Sequence, residues 1–228
     1  DKMKEPIGAL HGVPVTVKES FDVAGLTTCW GVKQLSRVAT ADAVAVERLR
    51  HAGAVVMGKT NVPPMLEDWQ ANNPVYGTTN NPWDAARSPG GSSGGAAAGV
   101  AAGIGAIGHG TDIGGSVRYP AYACGVHGLR PTLGRIPVWN TSGAERHIGG
   151  QLMAVSGPIA RTIADVRLAY HAMAARDERD PWWVDVPHEG PPAPKHAALC
   201  VNPDGMDVVP EVEAALRDAA KRLEAAGW

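Results

Sequence analysis

The run Gly90-Gly91-Ser92-Ser93-Gly94-Gly95-Ala96-Ala97-Ala98-Gly99-Val100-Ala101-Ala102-Gly103 leads into Ile104-Gly105-Ala106-Ile107-Gly108-His109 and then Gly110-Thr111-Asp112-Ile113-Gly114-Gly115-Ser116. Its first part predicts a helix of very small residues, Gly95 to Gly103, opened by Ser93 or a neighbour as N-cap. Ala or Gly at nearly every position implies close packing against other backbone. Ile104 to His109 reads as a buried strand and Gly110 to Ser116 as a glycine-rich turn. Many of the 28 glycines gather between Gly90 and Gly128. A local cluster of this kind marks backbone that approaches something closely rather than a flexible linker.

Working outward toward the N-terminus, Gly12 to Lys18 predicts a short strand ending in a polar residue. Thr40 can cap a helix from about Ala41 to Ala52, with Ala43, Val46 and Leu49 as its buried stripe and Gly53 as its stop. Ala54 to Gly58 reads as a buried strand. The polar stretch from Thr60 to Gly91 is too long for a plain connection, and such loops are usually functional. Toward the C-terminus, Thr162 with Asp165 resembles a capping box that starts a helix to about Ala175. Arg176 to Lys195 is a proline-rich excursion, Ala197 to Val201 a strand, and Pro210 the start of an amphipathic helix through Ala226. Strands alternating with helices predict an α/β layered domain, taken as a single unit over residues 1–228.

Composition excludes several classes. The chain has 228 residues, 44% of them hydrophobic and 19% charged, enough to bury a core and too apolar for disorder. A formal net charge of -2 leaves no electrostatic footprint for nucleic acid. No Lys/Arg run suits an anionic membrane surface, and Gly90 to Gly108 lacks the bulk of a membrane span. Asp1 to Glu5 is not followed by an apolar signal core. Cys29, Cys124 and Cys200 form no CxxC pair, so neither a zinc site nor a disulfide framework is implied, and a cytoplasmic setting is the default. Eight histidines fall in no metal-binding spacing, so no metal or other cofactor is expected. Gly53 to Thr60 matches the phosphate-loop pattern GxxxxGK[ST] letter for letter. Its interior, however, is Val55-Val56-Met57, which favours strand, and Asn61-Val62-Pro63-Pro64 cannot continue a helix.

Three segments carry chemistry: Val17-Lys18-Glu19, Gly90 to Gly95, and Gly110 to Arg118. A serine nucleophile needs a base, a proton path and donors for the oxyanion. Consecutive N–H groups of Ile113, Gly114, Gly115 and Ser116 can turn inward as those donors. No GxSxG elbow is present and no histidine triad order is evident, so a lysine whose pKa burial lowers is the natural base.

These segments resemble the amidase signature family. The likeness continues through Leu10-His11-Gly12-Val13-Pro14-Val15, Gly58-Lys59-Thr60-Asn61, Cys124-Gly125-Val126-His127-Gly128-Leu129-Arg130-Pro131-Thr132 and Ser156-Gly157-Pro158-Ile159-Ala160-Arg161. It covers about residues 8–176. The resemblance implies a mixed twisted sheet flanked by helices, incomplete here because members of the family are considerably longer on both sides. It also implies a Ser-Ser-Lys triad of Lys18 as base, Ser92 as bridge, preceded by a cis peptide bond, and Ser116 as nucleophile. Ser93, Asp112 and Arg118 match supporting positions.

Plainer readings stand beside these. Ser93 can do no more than cap the small-residue helix. Asp112 and Arg118 can be a structural ion pair, and Cys124 a buried small residue. His109 and His127 are expected to satisfy backbone groups rather than act as bases. Leu66 and Trp69, with Met65, either line an acyl pocket or pack the long loop. The resemblance implies hydrolysis of a small acyl amide through an acyl-serine intermediate. The alternatives are the glutaminase-type component of a tRNA-dependent amidotransferase and a catalytically inert fragment. The expected partner is a small-molecule amide, with no nucleic acid and no membrane; a homodimer is compatible with the reading.

Overall fold

The computed structural model describes residues 5–141, 148–192 and 194–228. Asp1 to Lys4, part of the lead-in read above for a signal core, lie outside the described residues. Contacts group the chain into two compact units, Asp1–Val186 and Pro187–Trp228.

In the first unit the chain runs β1 (Pro14–Lys18), β2 (Thr27–Thr28), β3 (Arg37–Val38), α1 (Val44–His51), β4 (Val55–Thr60), β5 (Asn72–Asn73), β6 (Gly77–Thr78) and α2 (Gly94–Ala101). It continues through β7 (Ile107–Asp112), α3 (Arg118–Cys124), β8 (His127–Gly128), α4 (Ile148–Met153), β9 (Val155–Ala160) and α5 (Ile163–Met173). Five strands form one sheet in the order β4-β1-β7-β9-β8. β1 is parallel to both β4 and β7, whereas β9 is antiparallel to β7 and β8. The sheet is therefore mixed and flanked by helices, the architecture the motifs implied.

The two-residue period of a strand sends neighbouring side chains to opposite faces. Val15, Val17, Ile107 and Ala160 join the core built with Leu49 of α1 and Val166 and Met173 of α5. Ile159 faces the other way, into the cluster of Ala96, Ala97 and Val100 from α2 with Val117 and Cys124. Each large apolar side chain withdrawn from water in these layers contributes roughly 1.5–3 kcal/mol. The same parity turns Lys18 away from the Val15 and Val17 face. Because β1 and β7 are parallel neighbours, their last residues, Lys18 and Asp112, end at the same carboxyl edge of the sheet, where open α/β sheets bind ligands.

Several local expectations are corrected. Ala54 to Gly58 is not a buried strand. Among the described residues β4 forms the sheet edge and pairs only with β1, which leaves Val55 and Met57 about half exposed. It is extended through Lys59, so the phosphate-loop spelling falls on a strand, and Lys59 Nζ donates to Thr27 O and Thr28 Oγ1. Thr40 does not cap α1. The helix starts at Val44, because Ala43 N–H donates to Asp22 O and the Asp42 carboxylate accepts from Ala24 N–H, which hold the preceding residues in an extended path. The glycine-rich turn begins only after Asp112, since β7 runs on through Thr111. α3 and β9 were not among the elements read from the sequence. Thr162 does cap α5, accepting from Asp165 N–H at 3.1 Å.

The second unit contains α6 (Pro210–Ala225), with Pro210 in its first turn and Glu213–Arg217 and Asp218–Arg222 pairs along its surface. Ala197 to Val201 forms no strand. Its unit contains no second strand among the described residues to pair its backbone groups, and a lone strand is not stable in water.

Candidate active site

Lys18 is the last residue of β1 and is completely buried. Its Nζ lies 2.7 Å from Ser92 Oγ, 2.8 Å from Thr111 Oγ1 and 3.4 Å from Thr111 O. Burial brings its pKa down from 10.5 to about 7, although the Asp112 carboxylate pulls the other way. A neutral amine has two N–H groups and one lone pair. The Thr111 carbonyl can only accept, and the Thr111 hydroxyl can accept a second N–H. The lone pair is then left for the Ser92 hydroxyl proton.

Ser92 follows a cis Gly91–Ser92 peptide bond and is buried. Gly91 is packed so closely against the 69–70 backbone that a Cβ on it would overlap the N and O of Gln70 and lie 2.6 Å from Trp69 C. Only glycine fits there, which ties Ser92 to the long polar loop.

Ser93 precedes α2 but makes no side-chain cap, a correction to its expected role. Its Oγ accepts from Thr111 N–H at 3.2 Å and donates to Thr111 O at 3.3 Å. The hydroxyl occupies space left by Gly110, where a Cβ would come within 2.8 Å of it. Ser93 N–H in turn donates to Ser116 O at 3.2 Å. Ser93 thus fastens the α2 start to both β7 and the Ser116 turn.

That turn is built around Asp112, which is fully buried. Its carboxylate accepts from the N–H groups of Gly115 at 2.9 Å, Val117 at 3.0 Å and Arg118 at 3.3 Å. The Arg118 guanidinium binds both carboxylate oxygens, at 2.9 and 3.1 Å, and Arg130 Nε stands 3.3 Å from Oδ1, near enough for charge attraction without hydrogen-bond alignment. Burial alone would raise the Asp112 pKa; the Arg118 and backbone hydrogen bonds outweigh it and hold the pKa at about 2. The Asp112–Arg118 pair is therefore structural and shapes the turn. One expected oxyanion donor is committed elsewhere: Gly115 N–H is spent on Asp112, because a buried carboxylate requires donors. Among the described residues, the N–H groups of Ile113, Gly114 and Ser116 have no protein acceptor.

Ser116 is half-buried. The structure joins it to the Lys18–Ser92 pair through backbone, by way of Ser93, and its hydroxyl makes no hydrogen bond to a described protein group. Thr111 was missed from the sequence. It lies inside the same glycine-rich run, and only the pairing of β1 beside β7 reveals that it faces Lys18.

The remaining candidates separate. His109 is buried under Phe21, with ring centroids 4.5 Å apart. Its Nε2 pairs with Ser156 Oγ at 3.1 Å, not with backbone as expected, and burial lowers its pKa to about 3. His127 is exposed on β8. Cys124 is buried, its thiol pKa pushed up to about 11 by burial. Leu66 is half-buried with a left-handed backbone, and Trp69 is exposed, in an edge-to-face arrangement with Tyr119. A groove of about 490 Å³ follows the β4 edge past Met57, Lys59, Asn61, Gly99 and Ile104; Lys18, Ser92 and Ser116 do not line it. Among the described residues no group of three His, Cys, Asp or Glu side chains could hold a metal ion, and no helix is long and apolar enough to cross a membrane.

A family model described as Amidase matches residues 1–228. The chain is 50% identical over 226 residues to an indoleacetamide hydrolase of Bradyrhizobium diazoefficiens, covering 97% of this chain and 43% of that protein. It is 43% identical over 178 residues to an acylamidase of Rhodococcus erythropolis, covering 78% and 36%. A glutamyl-tRNA(Gln) amidotransferase component of Synechococcus sp. (strain RCC307) is 37% identical over 237 residues, covering 98% and 47%. Among solved structures, 6-aminohexanoate cyclic dimer hydrolase aligns with a TM-score of 0.84 at 35% identity, covering 96% of this chain and 48% of that one. The chain spans less than half the length of these relatives. The ordered Lys, Ser-Ser and Gly-Gly-Ser motifs, the mixed sheet that gathers them at one edge and the match along the whole chain agree: this chain belongs to the amidase signature family.

Proposed function

We propose that the protein hydrolyses a small acyl amide to a carboxylate and ammonia or an amine, with Ser116 as nucleophile, Ser92 as proton bridge and Lys18 as base. The observation that carries this reading is the 2.7 Å contact between a fully buried lysine titrating near 7 and a serine hydroxyl. A lysine of ordinary pKa would hold its proton at neutral pH; this one is poised to exchange it.

Neutral Lys18 takes the Ser92 proton as Ser92 takes the Ser116 proton. Ser116 Oγ bonds to the amide carbon, and the N–H groups of Ile113, Gly114 and Ser116 receive the developing oxyanion. Catalytic hydrogen bonds often tighten only when substrate is bound, so the Ser116 hydroxyl closes on Ser92 at that stage. The proton returns through Ser92 to the leaving nitrogen and the C–N bond breaks. Water then attacks the acyl-serine by the same proton route, releasing the carboxylate and restoring Ser116.

The likeness to an amidotransferase component supports a second reading, in which the nitrogen is transferred within a complex. The higher identity to an indoleacetamide hydrolase favours hydrolysis. Glutaminase activity that appears only with partner proteins would reverse that preference. The direct test is Ser116→Ala in purified protein. Turnover and labelling by a serine-directed fluorophosphonate should both vanish; amide hydrolysis that survives the substitution refutes the assignment.

A further inference from the structure

We infer that Asn61 is a positioning residue for Ser92: its side-chain amide fixes the floor on which the turn from Gly91 to Gly94 rests, and its main chain carries the first turn of α2. This inference rests on the proton path proposed above and adds to it a residue outside that path.

Asn61 follows directly on Thr60, the last residue of β4 and the register partner of Lys18. Its Nδ2 group donates to Ala71 O and Gly77 O, both at 3.0 Å, and lies 3.2 Å from Thr79 Oγ1. Its Oδ1 accepts from Val62 N–H at 3.0 Å and from Asn73 Nδ2 at 2.6 Å. Carbonyl oxygens only accept and N–H groups only donate, so these partners fix which way the amide points. Neither a carboxylate nor an apolar side chain could serve both sets. Asn73, itself buried, closes the knot by donating to Val62 O and accepting from the N–H groups of Val75 and Tyr76.

The serine turn stands on the loop held in this way. Ala71, which offers its carbonyl to Asn61, is buried. A Cβ on Gly94 would come within 2.8 Å of Ala71 Cβ, and one on Gly91 would overlap the Gln70 backbone. The glycines on both sides of Ser92 and Ser93 thus lie against consecutive residues of the segment that Asn61 anchors. A third contact is direct: Gly95 N–H donates to Asn61 O at 3.3 Å, and a Cβ on Gly95 would overlap the Asn61 backbone. Asn61 therefore links the end of β4, beside the strand that carries Lys18, to the turn that carries Ser92. A misplacement of about 1 Å in a reacting group costs up to roughly a hundredfold in rate. The 2.7 Å contact between Lys18 Nζ and Ser92 Oγ leaves little slack for one.

The test reads the second-order rate of fluorophosphonate labelling at Ser116 against pH, per folded molecule of the full-length protein. Asn61→Ala should slow labelling at least about tenfold. Its rate–pH limb should move to higher pH, because a Ser92 hydroxyl that draws away no longer favours the neutral Lys18 amine. The other titratable groups coupled to Lys18, Asp112 and His109, are unchanged in the variant. In a Ser92→Ala background the same substitution should cost less than about twofold, since its effect passes through the Ser92 hydroxyl. If Asn61→Ala does not fold, Ala71→Gly, which removes the methyl group beside Gly94, should show the same pattern at smaller size. An unmoved limb, or an equal loss with and without the Ser92 hydroxyl, would mean a purely structural role and overturn the inference. Wild-type labelling in the variant tested would overturn it as well. Labelling as fast in Ser92→Ala as in wild type sinks the proton path itself and the role of Asn61 with it; slow labelling in Ser92→Ala beside wild-type labelling in Asn61→Ala sinks only the role of Asn61.

Discussion

Lys18 Nζ and Ser92 Oγ, 74 residues apart in the chain, meet at 2.7 Å in a fully buried contact. Burial costs the ammonium most of its hydration, which brings its pKa to about 7. On the proposed chemistry the neutral amine is the active form. Rates should therefore be low in acid, rise through about pH 7 and level off above it. Lys18→Arg should abolish turnover, since a guanidinium keeps its proton at every working pH. A flat rate–pH profile across roughly pH 5.5 to 8.5 would separate Lys18 from the reaction.

The same burial has a stability cost. Lys18 titrates near 7 when folded and near 10.5 when free of the site, so the unfolded chain binds more protons between those values and stability climbs with pH across that window. Below pH 7 the whole penalty stands, on the order of 4–5 kcal/mol before the hydrogen bonds to Ser92 and Thr111 are credited. Lys18→Met should be inactive and yet more stable than wild type by about 2 kcal/mol at about pH 6, by urea denaturation. A variant less stable than wild type there contradicts the account.

Asp112 raises the Lys18 pKa and holds the Ser116 turn through three backbone N–H groups. Asp112→Asn removes the charge and loosens the turn together. The expected result is a rate–pH limb displaced below 7 and a plateau at least about tenfold lower, as oxyanion donors lose their alignment. A limb displaced to higher pH would show that the charge acts in the opposite sense.

His109 is buried neutral against Phe21 and Ser156, with its pKa near 3 when folded. The unfolded chain protonates its histidine below about 6.5, so stability falls as pH drops from there toward 3. His109→Gln, which can still bond Ser156, should show a smaller loss of Tm between about pH 7 and pH 5 than wild type. Identical losses would exclude His109 as a source of acid lability.

Gly91→Ala places a methyl group against the Gln70 backbone and should cost about 3 kcal/mol, at the upper end of overpacking. Because Ser92 is next in the chain, the surviving folded fraction should also lose activity. Wild-type stability in this variant would show that the 69–70 loop yields freely.

The chain itself determined which residues could do chemistry. Lys18, the Ser92-Ser93 pair and the Gly114-Gly115-Ser116 turn are legible because each sits in a short run whose residue types suit one local geometry. The two-residue period also shows that Lys18 opposes Val15 and Val17. Periodicity is silent on which strands become neighbours. Only the parallel pairing of β1 with β7 brings Thr111 onto Lys18, and only the approach of α2 sends the Ser93 hydroxyl to Thr111 instead of to a helix cap. Asp112 takes Gly115 N–H for a similar reason: a buried carboxylate recruits whatever donors the folded turn offers. Residue identity is a property of the chain; burial and adjacency, which set the Lys18 pKa, are long-range properties and exist only once the sheet has formed.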